Sequence, residues 1–301
     1  MKILNFGSAN IDYVYSMDSI VKPGETVSTR SMEVFCGGKG LNQSIAAAKA
    51  GGNVYHAGMV GRDDGEKLLK KMNDDGVNTE HIKAAACPSG HAVSQVESSG
   101  QNSIFLYGGA NRKIDEKYAN EVLEGFEKND ILLLQNEISS LKYIAMTAHK
   151  KGMKVVLNPS PVNVELKELF PFVSYLMLNE DEGTAFTNES GYVEIADKLL
   201  SKYNEMNVVL TLGKKGVYFK NKDECQTHGI YKVKVTDTTA AGDTFIGYFI
   251  SCIMRGKTVK EALQTASIAS SLAVSRQGAS DSIPLLEEVI NANLEYEEFK
   301  K

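Results

Sequence analysis

The sequence contains no tryptophan and only six prolines, and no apolar run approaches the length that crosses a bilayer. A spanning helix needs about 20 consecutive apolar residues, so we expect no membrane partner. An excess of positive charge is also lacking, because 33 Lys and Arg face 38 Asp and Glu, giving a formal net charge of −5. Such a surface has no general attraction for phosphodiesters, and nucleic acid is not an expected partner.

Cysteine and histidine are scarce as well. Cys36, Cys87, Cys225 and Cys252 are far apart without a CxxC pair, and no secretion signal is evident before the first predicted strand. We therefore expect a reducing, cytoplasmic location. The five histidines show no HExxH spacing, so no structural zinc site is predicted. A composition of 43% hydrophobic and 24% charged residues indicates a folded globular chain.

Apolar segments that alternate with amphipathic ones predict an α/β fold. Runs such as DILLLQNE, KVVLNPSP and MNVVLTLG are continuously apolar between helical segments, which is typical of a mostly parallel sheet covered on both faces. The segment GKKGVYF and residues 225 to 235 are predicted as antiparallel edge strands. The pattern predicts helices near 39–50, 64–75, 115–124, 139–151, 181–187, 192–203, 242–255, 258–275 and 284–298.

Two segments break this alternation. Residues 13–36 are short and β-rich, and residues 90–107 alternate around the turn SSGQN at 98–102, a hairpin signature. Pairing the two would make a small separate sheet. We expect this sheet to act as a lid inserted in one α/β domain that spans residues 1–301.

Polar residues follow several predicted strands. In parallel sheets, ligands bind beyond the carboxyl ends of the strands, so these side chains should share one crevice. The residues are Asn10, Asp12, Gln135, Glu137, Asn158, Asn179, Glu182, Thr211 and Gly213.

The segment TDTTAAGDTF, residues 236–245, is the most informative one for chemistry. Ala240, Ala241 and Gly242 precede Asp243 at the start of an apolar helix, so unpaired backbone N–H groups should point at one spot beside a carboxylate. Such an anion hole suits a transferring phosphoryl group, and Asp243 could accept the proton of an attacking alcohol. A plain helix cap is the alternative, and on this segment alone both interpretations stay open.

A second glycine-rich loop, GGKG at 37–40, is followed by Asn42 at a helix start. It fits neither GxxxxGK[ST] nor GxGxxG. The loop could hold backbone close to a polar ligand, with Asn42, Asn10 and Asp12 binding hydroxyl groups. Tight-turn formation is the alternative for each of these residues. Together the pieces suggest a polyol site beside a phosphate site.

These motifs make the chain resemble the ribokinase family, the PfkB carbohydrate kinases, over essentially its whole length. The resemblance implies a ribokinase-like three-layer α/β/α fold with a small β-sheet lid. It is carried by ten segments in the family's order: GSANID, GGKGLNQ, GRDDG, GGAN, QNE, NPSP, NEDE, TLGKKGV, DTTAAGDTF and SRQGASDSIP.

The resemblance also implies roles for individual residues. Asp243 would be the catalytic base, with Ala240, Ala241 and Gly242 as the anion hole. The sugar would contact Asn10, Asp12, Gly38, Lys39, Asn42 and Glu137. Asn179 and Glu182 would organise Mg²⁺ through water, and the nucleotide would meet Thr211, Gly213, Gly216, Gly242 and Ser267. An activating monovalent cation, K⁺, would be bound by Asp237, Thr239, Ala273, Arg276, Gly278 and Ser282.

The activity that the resemblance implies is ATP-dependent phosphorylation of a primary alcohol, ribose to ribose 5-phosphate, in a homodimer that pairs through the lid. Polar His91 and Ser94 in the lid leave another sugar or a nucleoside as an alternative acceptor. A nucleoside would need stacking partners, for which Tyr13, Tyr15 and Phe105 are candidates. A non-catalytic sugar-binding regulatory protein is the alternative of another class.

Overall fold

The computed structural model describes residues 1–97 and 101–300; residues 98–100 of the predicted turn lie outside the described residues. The described strands, in chain order, are β1 (Ile3–Phe6), β2 (Asn10–Met17), β3 (Ser31–Gly37), β4 (Val54–Gly61), β5 (Asn78–Ala85), β6 (Gly90–Glu97), β7 (Asn102–Tyr107), β8 (Ile131–Gln135), β9 (Lys154–Asn158), β10 (Tyr175–Asn179), β11 (Asn207–Thr211), β12 (Val217–Lys220), β13 (Cys225–His228), β14 (Ile230–Tyr231) and β15 (Tyr296–Glu297).

In the described part of the chain, most α-helices alternate with these strands. The described α-helices are α1 (Lys39–Lys49), α2 (Glu66–Asp74), α3 (Glu116–Leu123), α4 (Leu141–Lys150), α5 (Glu180–Thr187), α6 (Tyr192–Lys202), α7 (Ala241–Met254), α8 (Val259–Val274) and α9 (Leu286–Ile290). Short 3₁₀ helices cover Gly109–Lys113, Val164–Phe172, Gly213–Lys215 and Ser280–Ser282. Within the described ranges, no helix combines the length and the apolar character of a membrane span.

The main sheet has the order β13-β12-β11-β10-β9-β8-β1-β4-β5 in the described part of the chain. The pairs from β11 to β5 are parallel, and β12 and β13 are antiparallel. Successive residues of β1 enter different cores: Leu4 packs with Ile144 on one face of the sheet, and Ile3 packs with Phe249 on the other. The predicted mostly parallel sheet, covered on both faces, is confirmed.

A separate sheet has the order β3-β2-β6-β7. Strand β2 begins at Asn10, three residues after β1 ends, and β3 ends at Gly37, just before α1. The small sheet is therefore attached at the carboxyl edge of the main sheet, beside the predicted crevice. Its strands lie in the two segments, 13–36 and 90–107, that broke the sequence alternation, although β2 begins at Asn10 and β3 ends at Gly37.

One strand was missing from the sequence prediction, and the last predicted helix was too long. Strand β5 was not predicted, because NTEHIKAA lies at the edge of the main sheet and is only half-buried, so its polar residues obscure the strand pattern. The last predicted helix, 284–298, ends at Ile290, and Tyr296 instead pairs with Tyr231 of β14. That pairing also takes residues 230–231 out of the predicted edge strands, because a distant segment offers them backbone hydrogen bonds.

Helices α1 and α7 pack closely against each other, and this packing determines where the candidate site lies. A Cβ atom built on Gly247 would lie 2.4 Å from the Cβ atom of Ala46 and 2.6 Å from the backbone nitrogen of Ala47. The Ser251 hydroxyl donates to the carbonyl of Ala47 at 2.7 Å. This contact brings the amino end of α7 beside the amino end of α1.

Candidate active site

The amino end of α7 opens into a cavity of about 230 Å³ lined by Ala240, Ala241, Gly242 and Asp243. Ala240 is the N-cap residue in the left-handed conformation, with φ 59°, and no side chain caps the helix. A Cβ atom built on Gly242 would meet nothing within 4 Å. The Ala241 amide donates to the Thr238 carbonyl at 3.3 Å, so the amides of Gly242 and Asp243 are the ones left for an anion, which the helix dipole favours.

The carboxylate of Asp243 is only 8% exposed and is held by two side-chain amides of α1. Gln43 Nε2 donates to Oδ1 at 2.9 Å, and Asn42 Nδ2 donates to Oδ2 at 3.1 Å. The amide oxygen of Asn42 is buried and accepts no hydrogen bond from the described residues. Asn42 thus contacts the acid through its amide nitrogen, while its amide oxygen is a buried acceptor without a partner among the described residues.

Lys39, the first residue of α1, lines the same cavity. Its pKa is raised, chiefly by the charge of Asp243 and, against the effect of burial, also by Glu137 and Glu182. The ammonium group therefore stays charged among three carboxylates that come from three different segments. It links the cavity at α7 to the predicted sugar residues.

The predicted sugar residues gather where β2 and α1 begin. Asn10 Oδ1 accepts a hydrogen bond from Asn111 Nδ2 at 2.7 Å, which fixes the amide of Asn10. A Cβ atom on Gly37 would lie 1.9 Å from Asp12 Oδ2, and one on Gly38 would lie 3.1 Å from the Asn10 nitrogen. The glycines of the GGKG loop are thus required for close approach to Asn10 and Asp12.

Asp12 and Glu137 form a pair of carboxylates beside the GGKG loop. Burial, and then the charge of Glu137, raise the pKa of Asp12 to about 7. Burial also raises the pKa of Glu137, although hydrogen bonds from the Ser8 hydroxyl and the Lys39 amide oppose the shift. Two partly desolvated acids facing each other are well suited to take hydroxyl donors from a polyol.

Asn179 and Glu182 form a capping box at the start of α5. Asn179 Oδ1 accepts from the Glu182 amide at 2.8 Å, and Glu182 Oε2 accepts from the Asn179 amide at 2.9 Å. Both residues also line the cavity at α7. The other oxygen of Glu182 accepts no hydrogen bond from the described residues, so the pair fits a Mg²⁺ ion that keeps its own water ligands.

A second cavity of about 170 Å³ adjoins the first and shares Thr211, Ala241 and Gly242 with it. The predicted nucleotide residues Gly213, Gly216 and Ser267 line this second cavity. Gly213 has φ 55° and Gly216 has φ 113°, conformations that favour glycine. All residues predicted for the nucleotide therefore lie along the two adjoining cavities.

Of the predicted cation residues, Asp237, Thr239 and Gly278 meet beside the start of α7, where the loop 236–239 contacts the end of α8 and the segment after it. Asp237 Oδ1 accepts from the Thr239 amide at 2.9 Å, and Oδ2 accepts from the Gly278 amide at 3.1 Å. Burial would raise the pKa of Asp237, but these hydrogen bonds lower it. An ionised carboxylate beside loop carbonyls fits a hard monovalent cation. The buried Ser282 donates instead to the Ala279 carbonyl at 2.8 Å, while Arg276 donates its amide to the carbonyl of Ala273 at 3.0 Å.

Three residues without a predicted role contact the site. They are Gln43, Ser8 and Asn111. Gln43 lies next to Asn42 in the GGKGLNQ segment, and Asn111 ends the GGAN segment, so a polar residue beside a glycine-rich turn was the available signal. Ser8 lay in the loop after β1. Their contacts join parts of the chain about a hundred residues or more apart, which no local pattern reveals.

The aromatic residues considered for a nucleoside base lie on the wrong face of the small sheet. Asp12 pairs with Ala92, whereas Tyr13 pairs with Val93 and, through it, with Phe105. Adjacent residues of a strand point to opposite faces, so Tyr13, Tyr15 and Phe105 share the face away from Asp12. Tyr13 packs edge-on against His91, with 6.0 Å between ring centroids.

Comparison with known proteins places this geometry in a family. The profile of the pfkB family carbohydrate kinases matches residues 1–286. Ribokinase of Haemophilus influenzae is 35% identical over 296 residues, which cover 94% of this chain and 95% of that protein. The chain belongs to the pfkB family of carbohydrate kinases.

Solved structures of pfkB-family kinases agree with the fold. The crystal structure of ribokinase from Thermotoga maritima has a TM-score of 0.85 and 35% identity, and the match covers 96% of this chain and 98% of that one. Arabidopsis thaliana ribokinase complexed with ribose and ATP gives a TM-score of 0.85 at 30% identity, covering 96% and 97%. The expected ribokinase-like three-layer α/β/α fold is confirmed, and so is the expectation of an enzyme of the carbohydrate kinase class.

Proposed function

We propose that this chain is an ATP-dependent kinase that phosphorylates the primary alcohol of ribose to give ribose 5-phosphate. The observation that carries the proposal is the position of Asp243, between the open amides of α7 and the sugar-side residues Asn42 and Lys39. Relatives named ribokinase, and one solved with ribose and ATP, support the choice of substrates. Because Tyr13, Tyr15 and Phe105 face away from Asp12, the structure offers less support for a nucleoside acceptor.

In the proposed reaction, each group of residues has a separate role. Asp243 accepts the proton of the sugar's primary hydroxyl as its oxygen attacks the γ-phosphorus of ATP, and the bond to the bridging oxygen of ADP breaks. The amides of Gly242 and Asp243, together with Lys39, stabilise the negative charge of the transferring group, and Ala240 and Ala241 line the anion hole. Asn10, Asp12, Gly38, Asn42 and Glu137 bind the sugar.

The remaining residues hold the nucleotide and its ions in this proposal. Thr211, Gly213, Gly216 and Ser267 line the nucleotide cavity. Asn179 and Glu182 would hold Mg²⁺ through water, and when bound the ion neutralises phosphate charge.

A screen for ADP release tests the proposal directly. Purified protein is assayed with ATP and ribose, deoxyribose, fructose, adenosine or pseudouridine, and the highest kcat/KM is expected for ribose. Asp243→Asn should lower kcat by about 10² to 10⁴, as loss of a general base does, while calorimetry still detects ribose binding. Asp223→Asn, an exposed carboxylate in a turn, is the matched control. An unchanged kcat in Asp243→Asn would refute the role of the base.

We also propose that K⁺ activates the enzyme by binding at Asp237 and Ser282 with the carbonyls of Thr239, Ala273, Arg276 and Gly278. The contacts of Asp237 with Thr239 and Gly278 support this, since they stabilise the loop that leads into the anion hole. Replacing K⁺ by tetramethylammonium should lower kcat several-fold, and Asp237→Asn should abolish the difference. Equal rates in both salts would contradict the site.

Three further properties are proposed on more general grounds. The chain acts as a single domain, 1–301, in which the sheet β3-β2-β6-β7 closes over the sugar as a lid. Two copies pair through this lid, a homodimer supported by the exposed apolar strand β7. The protein is located in the reducing cytoplasm, and the four unpaired cysteines are consistent with this location.

A further inference from the structure

A chain of three buried side-chain amides leads from the centre of the main sheet to Asp243. Asn5 of β1, Gln135 of β8 and Gln43 of α1 are 0%, 1% and 0% exposed. Gln135 Nε2 donates to Asn5 Oδ1 at 3.1 Å and to Gln43 Oε1 at 2.7 Å, and Gln43 Nε2 donates to Asp243 Oδ1 at 2.9 Å. We call Asn5, Gln135 and Gln43 the amide relay.

The hydrogen bonds of the amide relay determine, for each side-chain amide, which neighbour its nitrogen faces and which its oxygen faces. Asn5 Nδ2 donates to the Gly40 carbonyl at 2.7 Å, so its oxygen must face Gln135. Gln135 therefore presents its nitrogen to Gln43, and Gln43 must present its own nitrogen to Asp243. Gln43 Nε2 also donates to Asn158 Oδ1 at 3.1 Å. A flipped Gln43 would turn an oxygen toward both Asp243 and Asn158, which repulsion between acceptors forbids.

A stable core does not require this arrangement. Gln135 Oε1 is buried and accepts no hydrogen bond from the described residues, and an unsatisfied buried polar atom is costly. Apolar side chains of similar volume in these three positions would avoid that cost. Outside the relay, the Gly40 carbonyl, the Ser44 hydroxyl, Asn158 Oδ1 and Asp243 accept its hydrogen bonds. Of these acceptors only Asp243 is a carboxylate, and it receives a donor of defined position.

Resting on the proposed function, we propose that Gln43, oriented by Gln135 and Asn5, is a positioning residue that aims the carboxylate of Asp243 at the sugar hydroxyl. Asn42 holds Oδ2 and Gln43 holds Oδ1, so the plane of the carboxylate is defined from two sides. The other charged groups near Asp243 are Lys39, Glu137 and Glu182. None of these three replaces the donor that Gln43 supplies to Oδ1.

Gln43→Met tests the proposal, because methionine keeps the volume of glutamine and removes the donor. We expect kcat for ribose to fall about 10- to 100-fold, as a small misplacement of a catalytic group does, with both KM values within about twofold. Gln135→Met removes the donor to Gln43 Oε1, so that Gln43 is held only through its nitrogen by Asp243 and Asn158. It should lower kcat about 3- to 10-fold. Gln226→Met, on the edge strand β13, is the control that leaves kcat unchanged.

A double-mutant cycle separates positioning from general loss of structure. If Gln43 acts through Asp243, Gln43→Met should change kcat less than about threefold in the Asp243→Asn background. A merely structural role would lower kcat by the same factor in both backgrounds and would overturn the proposal. So would an unchanged kcat in folded Gln43→Met and Gln135→Met. Failure of the proposed function is distinct, because the parent protein would then release no ADP with ribose, and failure of the role of the base would leave Asp243→Asn fully active.

Discussion

At the scale of single residues, the carboxylate pair Asp12 and Glu137 predicts that the proposed sugar binding depends on pH. The pKa of Asp12 is raised to about 7, by burial and by Glu137. Below pH 7 Asp12 is protonated and accepts fewer hydroxyl donors, whereas above pH 7 it is ionised and can accept two. We expect KM for ribose to rise as the pH falls from 8 to 6, by at most about tenfold per pH unit, in steady-state assays at saturating ATP.

Asp12→Asn provides the control for this prediction. Asparagine does not titrate, so KM should be higher than in the parent at pH 8 and nearly constant down to pH 6. The same raised pKa has a consequence for stability. The folded protein holds this proton to higher pH than the unfolded chain, so the ligand-free protein loses stability as the pH rises from about 4 through 7. A parent KM that does not change with pH would contradict the assignment.

At the scale of elements, the packing of α1 against α7 sets the distance between Asp243 and its two amide partners. Gly247 allows this packing, because its added Cβ atom would lie 2.4 Å from the Cβ atom of Ala46. Contacts below 3 Å cannot be relieved without moving one helix, since the neighbours include backbone atoms. The helix that carries Asn42 and Gln43 and the helix that carries Asp243 are thus joined at one glycine.

Gly247→Ala should therefore impair both stability and catalysis. We expect the free energy of unfolding to fall by about 1 to 3 kcal/mol, the usual range for overpacking, measured by urea denaturation. Because α7 would shift away from Asn42 and Gln43, kcat should fall as well. Gly125→Ala is the matched control, since its Cβ atom would meet nothing closer than 3.6 Å. If Gly247→Ala retained both kcat and stability, the helices would not be as tightly coupled as described.

At the scale of the whole molecule, the small sheet leaves apolar surface uncovered. Ile104, Phe105, Leu106 and Tyr107 of β7 are 55%, 57%, 54% and 49% exposed. Strand β7 is also an edge strand, so it presents unpaired backbone groups together with these side chains. A surface of this kind favours association with another copy of the chain.

Phe105→Glu tests the proposed homodimer. Sedimentation equilibrium should give twice the chain mass for the parent protein and a single chain mass for the variant, because a buried unpaired charge opposes association. Ile290→Glu is the control, since Ile290 is 71% exposed on α9, outside the small sheet, and it should leave the dimer intact. A monomeric parent protein would rule the homodimer out.

Local sequence patterns were sufficient for much of the fold. Apolar runs between amphipathic segments predicted the parallel sheet, and α1, α5, α7 and α8 lie within two residues of their predicted ends. The AAGD segment predicted an open helix end beside an acid. This prediction was also a local one, because the small residues and the aspartate are adjacent in the sequence. The family followed from ten short motifs in order, and the comparisons confirmed it.

Contacts between distant segments were decided by the tertiary structure. Gln43 and Asp243 are 200 residues apart, and the pairing of β14 with β15 replaced part of a predicted helix. Neither could be derived from local patterns, because hydrogen bonds and burial depend on which surfaces the folded chain brings together. The raised pKa of Asp12 has the same origin: its residue type was readable, but its desolvation and its distance from Glu137 exist only once β2 and the loop after β8 have met.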